Sequence, residues 1–259
     1  MHSRLSCDAQ DTMEAMCQSA VDVGLDEIAV TEHLDLHPLD SCPNFYKADA
    51  YFAELARCRE QFAGRLTIRA GIEIGDDHRF GEGNAKVLHA YPYDFAIGSV
   101  HWIGDEAPFG KPFFQTHEGP PSWSGYFREM AELARADNYD VIGHIDLLKR
   151  EGTEFWGAFD HERYRDELRA ILRNLVERGK GLEINTSGWR RSAGEPCPGL
   201  PILTWYAELG GEILTIGSDS HRTAHVGLFY DEAVALAKQA GLRWLTTFED
   251  RKPIQHPLE

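Results

Sequence analysis

Asp219 and His221 sit two residues apart in Gly217-Ser218-Asp219-Ser220-His221, just past an apolar run at 212–216 that reads as a short buried strand. Side chains alternate along extended chain, so a carboxylate and an imidazole at that spacing can face one pocket. Carboxylate oxygen with imidazole nitrogen is a donor set suited to Zn, Fe or Mn. Taken alone, the pair could equally be a solvated turn, and any lone histidine could be structural. What favours chemistry is recurrence: His33, Glu73, His101 and His144 each stand at or next to the end of another predicted strand. The set holds more donors than one ion needs, which suggests two or three divalent ions sharing a bridging carboxylate.

Those strand ends need a scaffold. Helices are expected over 11–23, with Asp11 as N-cap, and over 48–63, 126–136, 161–178, 202–209 and 231–240. Strands are expected over 26–30, 66–74, 95–100, 139–145, 182–185, 212–216 and 243–248, with loops at 38–44 and 103–125 and an irregular tail over 252–259. The β–α alternation is unbroken, so the chain reads as α/β, one parallel barrel domain over 1–259. In such a barrel functional groups gather at the C-terminal strand ends, where this donor set falls.

The chain has 259 residues, 42% of them hydrophobic, and a formal net charge of −16. That charge argues against nucleic acid or an anionic membrane as partner, since both need a basic face. Cys7, Cys17, Cys42, Cys58 and Cys197 form no C-x-x-C pair and read as reduced thiols. With no apolar run of membrane-spanning length and no signal-like start, a cytoplasmic protein is expected. Oligomeric state is not legible.

The pieces His2-Ser3-Arg4-Leu5-Ser6-Cys7-Asp8, Thr31-Glu32-His33-Leu34-Asp35, Gly71-Ile72-Glu73, Gly98-Ser99-Val100-His101-Trp102, Gly143-His144-Ile145-Asp146 and Gly217-Ser218-Asp219-Ser220-His221 resemble the polymerase-and-histidinol-phosphatase (PHP) superfamily. Residues 143–150, 182–188 and 221–227 resemble its histidinol-phosphatase branch. The resemblance implies a distorted, TIM-like (β/α)7 barrel with a trinuclear centre. His2, Glu73 and Asp219 would hold one ion; bridging Glu73 with His101 and His144 a second; Asp8, His33 and His221 a third. The family's first motif is His-x-His on the first strand, and only its second imidazole, His2, is present. The first strand is therefore expected to be truncated, through a start assigned too late or a shortened protein, leaving neighbouring strand edges unpaired. A chain extended upstream by several residues is expected to be more stable and more active.

The reaction expected is hydrolysis of a phosphate monoester, L-histidinol phosphate in histidine biosynthesis. A metal-bridged hydroxide would attack phosphorus, with Glu73 and Asp219 central to the site. Arg150 and Arg190 would bind the phosphate, with Lys149 and Arg191 as second choices, because a guanidinium holds two oxygens at once. His225 is the candidate proton donor. Trp102 and the loop aromatics Phe109, Phe113, Phe114 and Trp123 could stack on an imidazole ring or simply pack. Two alternatives stay open: another PHP phosphoesterase such as a protein-tyrosine phosphatase, and a metal-poor, non-catalytic barrel.

Overall fold

The structure is a computed structural model that describes residues 1–258. Six strands form one curled parallel sheet: β1 (Glu27–Leu34), β2 (Thr67–Gly75), β3 (Phe95–Ser99), β4 (Val141–Ile142), β5 (Gly181–Asn185) and β6 (Leu214–Gly217), paired in sequence order. Parallel strands buried on both faces read as near-continuous apolar runs, and β2 from Ala70 onward and the whole of β3 are buried. Register follows from this packing. It sets His33 of β1 opposite Glu73 of β2, so two donors on neighbouring strands arrive side by side.

Helices cover the outer face. In α1 (Met13–Asp22) the residues Met13, Met16, Cys17 and Ala20 form the buried stripe. Thr12 caps this helix by accepting from the Ala15 N–H, while the Asp11 carboxylate accepts from the Thr223 N–H. Asp11 therefore ties the helix start to the loop after β6 and is not the cap. Within α2 (Ala48–Gln61), the buried Tyr51 hydroxyl donates to the Val30 carbonyl and accepts from the Gly71 N–H. That fixes β1 against β2 below the donor pair.

Four further features depart from the sequence reading. Helix α3 (Asp77–Ala90) fills a stretch outside every expected element, although Gly81 and Gly83 lower its helix propensity. Gly83 is there for space: a Cβ would fall 2.5 Å from Leu36 Cδ1. The expected loop at 103–125 holds α4 (Gly110–Thr116) and the start of α5 (Gly119–Leu133). A further helix, α6 (Lys149–Trp156), follows β4. α7 (Arg165–Glu177), α8 (Leu200–Glu208) and α9 (Tyr230–Gln239) lie close to expectation.

The last departure is at the carboxyl end. The expected barrel strand there is β7 (Trp244–Glu249), which pairs antiparallel with β8 (Lys252–Pro257), where an irregular tail was expected. Glu259 lies outside the described residues. Phe248 of β7 stacks on Phe95 at 4.9 Å and joins Ile97 and Val141 in a small apolar cluster under the sheet. The two-residue turn uses Asp250 and Arg251, both at positive φ, as a type I′ turn requires.

Met1 and His2 lie across the gap between the sheet's outer strands. The Thr31 N–H donates to the Met1 carbonyl at 2.8 Å, and the His2 N–H donates to the Ser220 carbonyl at 2.8 Å. Backbone from the chain's first residues thus bridges the β1 side to the loop after β6. Among the described residues no helix is long and apolar enough to cross a membrane.

Candidate metal centre

Glu73, near the end of β2, is the hub. Its Oε2 lies 3.3 Å from His2 Nε2 and 3.6 Å from His33 Nδ1; its Oε1 lies 3.3 Å from His101 Nε2 and 3.1 Å from His144 Nε2. The Ser99 hydroxyl donates to Oε1 at 2.6 Å. Burial alone would raise the carboxyl's pKa, but the surrounding imidazoles hold it well below the usual range. Asp219 adds its Oδ1 at 3.4 Å from His2 Nε2, and its carboxyl is held low in the same way.

A second group adjoins this one. Asp8 Oδ2 is 3.0 Å from His221 Nε2 and 3.7 Å from His33 Nε2, and these two imidazole nitrogens are 3.4 Å apart. The His2 ring stacks on His33 at 4.1 Å and on His221 at 4.4 Å. Donor atoms of His2, His33 and His221 lie within 4.8 Å of one another, as do those of His33, Glu73 and His101. All eight donors expected from the sequence therefore converge at one end of the sheet. Stacked imidazoles around shared carboxylates, with nitrogens facing nitrogens, are poor mutual hydrogen-bond partners and good cation ligands. The residues fit a cluster of divalent ions.

Backbone strain marks the same place. Asp219 and His144 have positive φ, 48° and 21°. Such residues cost of order 1–3 kcal/mol each and cluster at functional sites. The strain is held from behind. The Arg190 guanidinium donates to the Ser218 and Asp219 carbonyls at 2.8 and 3.1 Å, and the buried Tyr126 hydroxyl donates to the His144 carbonyl at 3.2 Å.

Several residues that shape the centre escaped the sequence reading. The fully buried Glu32 accepts from the Ser3 N–H and from the Ser3 and Ser6 hydroxyls, lashing the loop that carries His2 and Asp8 onto β1. Asp35 accepts from His101 Nδ1 at 2.7 Å, and Glu183 accepts from the His144 N–H at 3.1 Å. Asp35 shares the face of His33 by period two, so that spacing was a usable signal. Glu32 and Glu183 carry no spacing signal.

Protons and ions compete for these donors. Burial works against charge on His2, but hydrogen bonds to Asp219 and Glu73 outweigh it and push its pKa up to about 9. His101 is likewise raised against burial by Asp35 and Glu73. His33 goes the other way, to about 4, through burial and the adjacent His2 charge. The stabilisation that protonated His2 gives the metal-free fold is complete below its unfolded value of 6.5 and is lost as pH rises through about 9. Ion binding must expel that proton, so its sign is opposite: apparent metal affinity should climb with pH up to about 9. Calorimetric zinc titration at pH 7 in two buffers of different ionisation enthalpy should show release of about one proton or more per chain. Zero release would contradict this protonation pattern.

A cavity of about 1040 Å³ opens over the donors. In a chain of net charge −16, its wall nonetheless carries Arg150, Arg190, Arg191 and Arg222. Arg150 donates to Asp219 Oδ2 at 2.8 Å and to the Ser187 hydroxyl at 3.3 Å. Lys149 does not belong with them. It is fully buried, 2.7 Å from Asp146 and 3.1 Å from Glu195, because the first turn of α6 turns it away from the cavity. His225 lines the cavity, but burial and then Arg190, Arg222 and Arg191 lower its pKa, which works against its holding a proton to donate. Trp102 lines the cavity and stacks on His37 at 3.8 Å, and the exposed Phe109 stands at the mouth. Phe113, Phe114 and Trp123 are buried packing residues.

The rim also corrects the cysteine reading. Cys7 and Cys42 form a disulfide, while Cys17, Cys58 and Cys197 are free and buried. The bond joins the Asp8 loop to the loop forming the facing cavity wall, a proximity that sequence separation of 35 conceals. By loop-closure entropy, Cys42→Ser should cost up to about 3–4 kcal/mol in urea unfolding under oxidising conditions. A change below about 0.5 kcal/mol would show the bond absent or without thermodynamic effect.

Residues 1–187 match the PHP domain family. The chain belongs to that family. It is 31% identical to a histidinol-phosphatase from Lactococcus lactis, covering 97% of this chain and 93% of that one. It is 27% identical to a histidinol-phosphatase from Bacillus subtilis, covering 86% and 92%. It also superposes, with a TM-score of 0.90 at 29% identity over 98% and 97% of the two chains, on a crystal structure of histidinol phosphate phosphatase from Lactococcus lactis complexed with zinc, L-histidinol and phosphate. The match thus spans most of the length of those relatives, and this PHP chain shares the fold of the Lactococcus lactis crystal structure.

Proposed function

We propose that this PHP chain is a metal-dependent phosphoric monoester hydrolase acting on L-histidinol phosphate. The observation that carries the reading is the meeting, in one cavity, of a carboxylate-and-imidazole cluster centred on Glu73 with a wall of arginines. The chemistry named for the full-length relatives supports it.

Glu73, His2 and Asp219 would hold one ion, Glu73 with His101 and His144 a second, and Asp8, His33 and His221 a third; zinc, iron or manganese suits such donors. When bound, such ions acidify water and neutralise phosphate charge. The chain's residues do the rest. Glu32 and the Cys7–Cys42 bond hold the Asp8 loop in place. Arg150, already beside Asp219, meets the phosphate oxygens, with Arg190 and Arg191 along the same wall. Positioning and charge neutralisation dominate phosphoryl transfer, so these contacts are the chain's main contribution. Trp102 and Phe109 offer faces to an imidazole ring, and Asp40 and Glu151 at the cavity edge suit a cationic amine. His225 and Arg222 line the same cavity. A seven-membered ring of strands, (β/α)7, follows if the Met1–His2 segment is counted between β1 and β6, and its bridging hydrogen bonds support that count.

A substrate panel tests the proposal. With zinc or manganese present, kcat/KM for L-histidinol phosphate should exceed that for phosphotyrosine by about a hundredfold or more. Equal or better turnover of phosphotyrosine would overturn the assigned substrate.

A further inference from the structure

We infer that Asp35 is a positioning residue for the metal centre, fixing the ring of His101, and that Gly75 exists to seat it. The inference rests on the proposed metal-holding role of Glu73, His101 and His144.

Asp35 follows β1 directly and shares the face of His33. Its Oδ1 receives the His101 Nδ1 hydrogen at 2.7 Å, while its Oδ2 stays 3.8 Å from His33 Nδ1. A hydrogen on Nδ1 leaves the lone pair of a neutral imidazole on Nε2. That nitrogen is the one facing the cluster, 3.3 Å from Glu73 Oε1. A carboxylate behind a ligating imidazole sets both its tautomer and its ring angle and raises its basicity. The backbone of His101 is pinned separately, since Asp76 Oδ1 accepts its N–H at 3.3 Å. Asp35 therefore governs the ring and Asp76 the main chain.

The second observation is steric and independent of the first. A Cβ on Gly75, the last residue of β2, would fall 2.0 Å from Asp35 Oδ1 and 3.3 Å from His101 Nδ1. The glycine is not required by a left-handed backbone; it leaves the volume that the carboxylate occupies. The same device recurs across the sheet, where a Cβ on Gly217 would fall 1.9 Å from Glu183 Oε1, and Glu183 receives the His144 N–H. Two glycines at strand ends thus each make room for a carboxylate that holds a cluster histidine.

The test is a double-mutant cycle read by metal affinity. Wild type, Asp35→Ala, Gly75→Ala and the double variant are stripped of metal and titrated with Zn²⁺ against a competing chelator; Co²⁺ absorption reports ligand geometry. Asp35→Ala should weaken one ion by about 10–100-fold and alter the Co²⁺ spectrum. Asp35→Asn keeps an acceptor and should recover part of the loss. Gly75→Ala should imitate Asp35→Ala, and the double variant should be no worse than either single one. Should Asp35→Ala not fold, Gly75→Ala displaces the same carboxylate with Asp35 still in the chain. Affinity within threefold of wild type in both single variants would overturn the inference. So would an ion lost in Asp35→Ala and restored by Asp35→Glu, which would make Asp35 a ligand, or a rise in KM alone, which would make it a substrate contact. A wild type that takes up no ion would instead overturn the metal centre itself, and this inference with it.

Discussion

Glu73→Gln is expected to lower kcat by about a thousandfold or more and to cost the protein at least one bound ion. Among the described residues Glu73 is the carboxylate within 3.6 Å of four imidazoles; it is buried, as are His2, His101 and His144, while His33 is half-buried. An amide of the same size keeps the packing but loses the charge that draws cations to this spot. Metal-assisted charge stabilisation amounts to several kcal/mol, and about 4 kcal/mol is a thousandfold in rate. Packing is conserved, so the loss should fall on metal content and turnover together. Elemental analysis beside steady-state kinetics checks it. A Glu73→Gln protein with full metal content and turnover within tenfold of wild type would show that the hub lies elsewhere.

The second large effect belongs to Arg150. Its guanidinium reaches from the first turn of α6 to Asp219 and Ser187, at the edge where the arginine wall meets the donor cluster. Lysine at this position keeps the charge and loses the planar fork, so it cannot hold a carboxylate and two phosphate oxygens together. Removing one well-placed donor to a transition-state anion typically costs 10²–10³ in kcat. Arg150→Lys should therefore lose about 10²-fold in kcat/KM, and Arg150→Ala more. Competitive inhibition by inorganic phosphate should weaken in parallel. Unchanged phosphate inhibition in both variants would move the phosphate site towards Arg190 and Arg191.

The donor set was legible because strand ends leave a local signature. An apolar run followed by His, Glu or Asp is visible in a handful of residues, and parallel strands bring such ends together without further information. That reasoning located His33, Glu73, His101, His144 and Asp219 at one end of the sheet, where the register pairs His33 with Glu73. It misplaced Lys149, since an exposed cation and one buried against Asp146 look alike in sequence. α3 was hidden because Gly81 and Gly83 lower helix propensity, and the demand that put Gly83 there, contact with Leu36, is tertiary. The Cys7–Cys42 bond depends on two loops folding towards each other across the cavity, which no local pattern encodes. Glu32 and Glu183 act through backbone and hydroxyl partners whose identity is set only by the fold. β8 was missed because Pro253 and Pro257 argue against a strand, although an edge strand of a two-stranded sheet tolerates them.

The central claim is that the acids and imidazoles at the carboxyl ends of the strands hold divalent cations as a group. Anomalous X-ray diffraction from crystals of the full chain grown with zinc and phosphate tests this directly. Strong peaks are expected within coordination distance of Glu73, shared with His2, His101, His144 and Asp219, with phosphate density between them and Arg150. A fully occupied metal peak elsewhere on the chain, with none beside Glu73, would contradict it.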